Sequence, residues 1–224
     1  VTSSVTITVN KASQAAVSIV TNYTTGSYLD GRSYTATGSG GTTTGAFSYA
    51  SNSVSVCTVD AATGAVTILA AGTCSITATR PGDATYLDAS ATGTITIAKI
   101  NQSTLTASAD QTILPFTASP VQTAQVSYTG GSGTGAASYS SSTPSVCSVD
   151  SATGLVTDIT AGRCTIAVTI AADTNYNAAS ASVLIRFGKV DQAAFTASVN
   201  NSSVTYNAGT SVIASSAGGS GTGA

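Results

Sequence analysis

The four cysteines are the residues of this chain most able to do covalent chemistry. They come as two pairs of equal spacing, Cys57 with Cys74 and Cys147 with Cys164. Three chemistries compete for them. A zinc site needs close Cys-x-x-Cys pairs or histidines, and the chain has neither. A catalytic thiolate normally needs a histidine as base, which is absent for the same reason. A disulfide needs only two sulfurs that meet in an oxidising compartment, and the matched pairs point to it. Bonds from Cys57 to Cys74 and from Cys147 to Cys164 would each stabilise the fold by about 3 kcal/mol on the chain-entropy model.

Other candidate sites are weaker. All nine acids are Asp, scattered along the chain, and none sits beside a nucleophile, so no acid–base pair can be assigned and no enzyme is expected. Asp83, Asp88 and Asp173 suggest calcium, but that ion wants six to eight oxygens, and Asn175 and Asn177 stand where further acids would be needed. The better reading is an Asp that caps a turn over Tyr86 or Tyr176. No cofactor is expected. Gly131-Ser-Gly-Thr-Gly-Ala136 has the look of a phosphate loop but lacks its lysine and its following helix, so it reads as a turn between strands. Asn22, Asn101, Asn200 and Asn201 begin glycosylation sequons, which arise by chance in a chain this rich in Ser and Thr. Lys11, Lys99 and Lys189 would suit isopeptide cross-links only with a buried acid beside them, and a solvent-facing lysine is the default. The exposed Thr94/Thr96 row hints at ice or sugar binding, and ordinary solvent-facing strand positions explain it equally well. Tyr23, Tyr28 and Tyr34 are the aromatic residues best grouped for ligand binding.

These residues recur. Val56–Cys74 returns as Val146–Cys164 in the same order, displaced by 90 residues. Lys11-Ala-Ser-Gln14, Lys99-Ile-Asn-Gln102 and Lys189-Val-Asp-Gln192 mark three junctions, and Gly131–Ala136 returns as Gly219–Ala224. A fixed period means an array of like units. The predicted domains are residues 1–10, the last strand of a preceding repeat; 11–99, repeat 1; 100–189, repeat 2; and 190–224, the first half of a further repeat. Neither end falls on a unit boundary, so the expectation is a window within a longer protein.

Charged residues make up only 7% of the chain and hydrophobic ones 42%, a balance that suits a packed core rather than disorder. Net charge is −2 without a basic cluster, which argues against nucleic acid or an anionic membrane as partner. Each 90-residue unit is large enough to bury a core. Thr, Val, Ser, Ile and Tyr dominate, punctuated by Gly turns, and suit pleated strands. Cys74-Ser-Ile-Thr-Ala78 and Cys164-Thr-Ile-Ala-Val168 alternate, as do 94–97 and, more loosely, 183–187, which predicts antiparallel strands with one buried face. Val59–Val66 predicts a hairpin closed by Asp60 and Gly64, and 149–156 its copy. Short strands with frequent turns over some 90 residues predict an all-β fold class, two-sheet β-sandwich domains joined end to end.

The pattern Val-Cys-x-Val-Asp-x-x-Thr-Gly-x-Val-Thr, then Ala-Gly-x-Cys-x-Ile, then Asp-x-x-Tyr, resembles bacterial immunoglobulin-like (Ig-like, Big) tandem repeats, in a disulfide-bearing subgroup. The resemblance covers both full units and both partial ones. It implies sandwich domains of long secreted or surface proteins of the adhesin or fibre type. The function expected is thus a structural segment of an extracellular or cell-surface protein, a semi-rigid stalk or the body of a filament. Its partners would be neighbouring repeats of the same chain and, through edge strands poor in Lys, laterally associated copies. The alternatives are an adhesin module that binds glycan or host protein, and an accessory domain of a large secreted enzyme.

Overall fold

The computed structural model describes residues 3–117, 119–206, 209 and 211–219, and among them there is no helix. The copy of the Gly-rich loop at Gly219–Ala224 lies outside the described residues from position 220 onward. The chain divides into two compact units. The first comprises Val1–Thr106, Tyr128–Ser138 and Val168–Ala181, and the second Ala107–Ser127, Tyr139–Ala167 and Ser182–Ala224.

Repeat 1 supplies eight strands: β1 (Val17–Thr21), β2 (Thr25–Ser27), β3 (Tyr34–Gly40), β4 (Ser48–Ser51), β5 (Cys57–Val59), β6 (Ala65–Ile68), β7 (Gly72–Arg80) and β8 (Ala89–Ala98). They form two four-stranded sheets, in the orders β1-β3-β6-β5 and β2-β8-β7-β4. All pairings are antiparallel except β2 with β8, where Thr25 lies opposite Thr96. Alternation does the sorting. On β7, Cys74, Ile76 and Ala78 are fully buried, and Ile95 and Ile97 of β8 join them. Tyr34, Ala36 and Val66 close the core from the other sheet. Thr94 and Thr96, one residue out of phase, stay exposed.

The hairpin at Val59–Val66 is present, with those two residues opposite each other. Asp60 Oδ1 accepts from the amides of Ala62 and Thr63 and from the Thr63 hydroxyl. Gly64 takes φ +72°, and a Cβ there would run into the Ala36 carbonyl, so this turn requires glycine.

Repeat 2 has the same strands in the same places: β9 (Thr106–Ala109), β10 (Ile113–Pro115), β11 (Thr123–Thr129), β12 (Ala137–Ser141), β13 (Cys147–Val149), β14 (Leu155–Asp158), β15 (Gly162–Ile170) and β16 (Ala179–Gly188). Their sheet orders, β9-β11-β14-β13 and β10-β16-β15-β12, repeat those of the first sandwich. The Gly131–Ala136 loop is the connection between β11 and β12. Two final strands, β17 (Phe195–Val199) and β18 (Ala214–Gly218), pair antiparallel and are exposed throughout.

Residues 3–10, part of the segment 1–10 read as the last strand of a preceding repeat, are unpaired here, and Val5, Ile7 and Val9 are exposed. A strand exists only with a ladder partner, and no described segment pairs with this one.

Candidate functional sites

Each cysteine pair is a disulfide. Cys57–Cys74 and Cys147–Cys164 have Cα–Cα distances of 5.6 and 5.7 Å, and all four residues are fully buried. Cys57 lies on β5 and Cys74 on β7, which belong to different sheets. The bond is therefore a clasp across the sandwich. In both repeats hydroxyls lie near the first sulfur: Ser51 Oγ at 3.5 Å from Cys57 Sγ and Ser141 Oγ at 3.3 Å from Cys147 Sγ.

The junction glutamines are clips that sequence reasoning passed over. Gln14 Oε1 accepts from the amides of Thr42 and Thr43, while its Nε2 donates to the Leu87 carbonyl at 2.8 Å. Gln102 does the same one repeat later, accepting from Ser132 and Gly133 and donating to the Asn177 carbonyl at 2.9 Å. One side chain thus ties the chain entering a repeat to its Gly-rich loop and to the loop before its last strand. The signal was present in the parallel recurrence of Lys-x-x-Gln and the Gly-rich segment.

The acids cap turns. Asp83 Oδ1 accepts from the amides of Thr85 and Tyr86, and Asp173 Oδ1 from those of Asn175 and Tyr176. Asp173 Oδ2 also takes the Thr134 amide and hydroxyl. The Thr134 and Tyr176 amides are the chief cause of its carboxyl being held down at about 2. Asp88 accepts from the Gly82 amide.

Lys99 is exposed, but its ammonium donates to the Asp173 carbonyl. Around it, within the first compact unit, the Ile100 amide donates to Asn175 O and the Asn177 amide to Ile100 O. Asn175 Oδ1 accepts from the Ala71 amide at 2.9 Å, and the Tyr28 ring meets Tyr176 edge-on at 6.0 Å. Among the sequon asparagines, Asn22 already donates its side-chain amide to Ser33 O. Asn101 Oδ1 accepts from Asn177, and Asn200 Oδ1 accepts from the Ile213 amide.

The three grouped tyrosines part company. Tyr34 is buried, Tyr28 half-buried and Tyr23 exposed. Tyr23 and Tyr34 meet edge-on at 5.6 Å, and the Arg32 guanidinium lies 5.0 Å from the Tyr23 ring centroid. Tyr34 donates to Asp30 Oδ2 at 2.5 Å. Burial first, and then that hydrogen bond, pushes the Tyr34 phenol up to about 12. The Tyr34 hydroxyl is in turn the main cause of the lowered Asp30 carboxyl.

Two four-stranded sheets with a parallel β2–β8 edge and a cross-sheet clasp define an Ig-like sandwich. Residues 31–85 match the family model described as "Intimin, immunoglobulin-like domain". Over that span repeat 1 is similar to Ig-like domains of that bacterial type, and repeat 2 carries the same motifs on the same strands. Domains of this kind are structural or binding modules, not enzymes. No curated protein matches the chain. Among solved structures, the chain is similar to mouse cadherin-23 EC22–24, with 16% identity over 79% of this chain and 65% of that one and a TM-score of 0.33. It is similar to Drosophila N-cadherin EC1–4, with 9% identity over 79% and 50% and a TM-score of 0.39. It is also similar to the C-terminal 282-residue fragment of intimin in complex with the intimin-binding domain of the translocated intimin receptor, with 18% identity over 86% and 70% and a TM-score of 0.31. The chain spans less than two thirds of the first two of these. No helix among the described residues is long and apolar enough to cross a membrane.

Proposed function

We propose that this chain is a spacer segment of an extracellular bacterial surface protein. In this reading its clasped sandwiches carry load and set distance as part of a stalk or fibre body. The observation that carries the reading is the state of the peptide between repeats. Lys99–Gln102 is held by hydrogen bonds at Lys99 Nζ, Ile100 N, Ile100 O and Gln102 Nε2, so it does not behave as a flexible linker. The buried disulfides support it further, since a cross-sheet clasp shortens what a repeat can pay out under tension. The partners are neighbouring repeats of the same chain and copies alongside it. The Asp83 and Asp173 carboxylates are engaged by backbone amides, which supports an array that needs no calcium.

Small-angle scattering of the chain tests this. A compact fold-back of 224 residues would have a radius of gyration of about 17 Å. A spacer gives a clearly larger value that is unchanged by EDTA or added calcium. A value at the compact limit, or one that shifts with calcium, contradicts the reading.

A further inference from the structure

Between the β2–β3 connection and strand β6 lies an open cleft of about 420 Å³, within the range of small-ligand sites. Val66 and Ile68 contribute its apolar part, and Asp30 and Arg32 its charged part. Leu29, also in its lining, is 70% exposed and holds φ +58°. A bulky non-glycine residue in that region is strained, and an exposed apolar side chain kept there suggests a purpose other than packing.

The polar groups are arranged to offer a donor and an acceptor together. Arg32 lies against Tyr23, its Nε is 3.7 Å from Asp30 Oδ2, and its Nη1 reaches only Thr25 O at 3.5 Å. The guanidinium also neighbours the Tyr34 hydroxyl, and the side chain is 49% exposed. Asp30 Oδ2 takes two donors, the Ser27 amide and the Tyr34 hydroxyl, while Oδ1 takes only the Arg32 amide. A carboxylate oxygen has two lone pairs, so Oδ1 keeps one.

The equivalent place in repeat 2 is built differently. Arg32, Tyr34 and Ile68 are replaced by Gln122, Ala124 and Asp158, Tyr23 (two residues before β2) by Gln111 (two before β10), and the connection that carries Asp30, residues 28–33, by the longer 116–122, which holds no acid. The buried Asp158 accepts from the Gln122 amide at 2.9 Å, which draws that connection onto β14. In repeat 1 the carboxylate has moved from the strand to the loop, so the loop is braced internally and the space over Ile68 is left open.

We propose that the repeat 1 cleft binds a neutral hexose unit of a glycan, with Arg32 and Asp30 taking adjacent hydroxyls and Leu29 and Ile68, both in the cleft lining, taking the apolar face of the ring. The Arg32–Asp30 pair has no net charge, so it favours an ion of neither sign. A sugar hydroxyl both donates and accepts, and a vicinal pair matches a guanidinium beside a carboxylate. The site adds to the spacer role and does not depend on it.

The test is an amide chemical-shift titration of the isotope-labelled whole chain. The probes are methyl glycosides of glucose, galactose, mannose and N-acetylglucosamine, with methyl glucuronide and methyl sialoside as charged controls. The expected result is millimolar binding of at least one neutral glycoside, with shifts confined to residues 27–33 and 65–68. R32A should weaken it about tenfold or more, since a hydrogen bond to a charged group is lost. R32K should recover little of this, because the planar fork is gone. L29G, which relieves the backbone strain and so keeps the fold, should also weaken binding. Absence of shifts with every probe, shifts untouched by R32A and L29G, or binding of the charged glycosides alone would overturn the proposal.

Discussion

Single residues in this protein act mostly by satisfying backbone amides. Asp60, Asp83, Asp150 and Asp173 each cap a turn, and in each case backbone hydrogen bonds hold the carboxyl below its ordinary value of 3.8. A carboxyl depressed by folding contributes stability above its unfolded pKa and loses it as pH falls through the folded value. The chain should therefore be at full stability at neutral pH and lose it progressively between about pH 4 and pH 2. D173N should lower the melting temperature at pH 7, and the gap to the parent should narrow toward pH 2, a comparison that scanning calorimetry makes directly. Tyr34 works at the opposite end. Its phenol is raised to about 12, so the stability it contributes is present at neutral pH and is lost as pH rises from about 10 through 12. Y34F should flatten that alkaline limb. Removing a clip, as in Q102A, leaves two loop amides and a carbonyl to find water and should cost about 1–3 kcal/mol in chemical denaturation.

Among elements, the clasp and the core layer divide the work. Losing the cross-sheet bond in C57S/C74S should cost about 3 kcal/mol, read as a lower denaturation midpoint for repeat 1 with repeat 2 unchanged. The two cores reach similar packing with different residues. Repeat 1 uses Tyr34 with Ile97, and repeat 2 uses Ala124 with Phe187, all buried. Y34A should therefore cost about 3 kcal/mol or more, and adding I97F should recover part of it, because volume returns to the same layer. The alternation of Cys74, Ile76 and Ala78 and the Asp60–Gly64 turn were legible because they are local and periodic. The Gln14 and Gln102 clips were not, since the recurrence of Lys-x-x-Gln marks a junction without naming what it bonds, and the partners lie up to 75 residues away. The cleft was legible only as a cluster of tyrosines. What opens it is the exchange of a carboxylate between positions 30 and 158 of equivalent repeats, a difference that matters only once β6 and the β2–β3 connection are brought together.

For the molecule as a whole, the central claim is that each sandwich is a separate load-bearing unit with its clasp inside it. Force–extension of single chains tests this most directly. Each disulfide spans 17 residues in sequence, with Cα atoms 5.6 or 5.7 Å apart. An intact clasp should therefore shorten each unfolding step by roughly 50–55 Å of contour relative to the reduced chain. The account predicts two such steps, one per full repeat, each lengthening by that amount when reductant is present. A single concerted step, or step lengths indifferent to reductant, would contradict it.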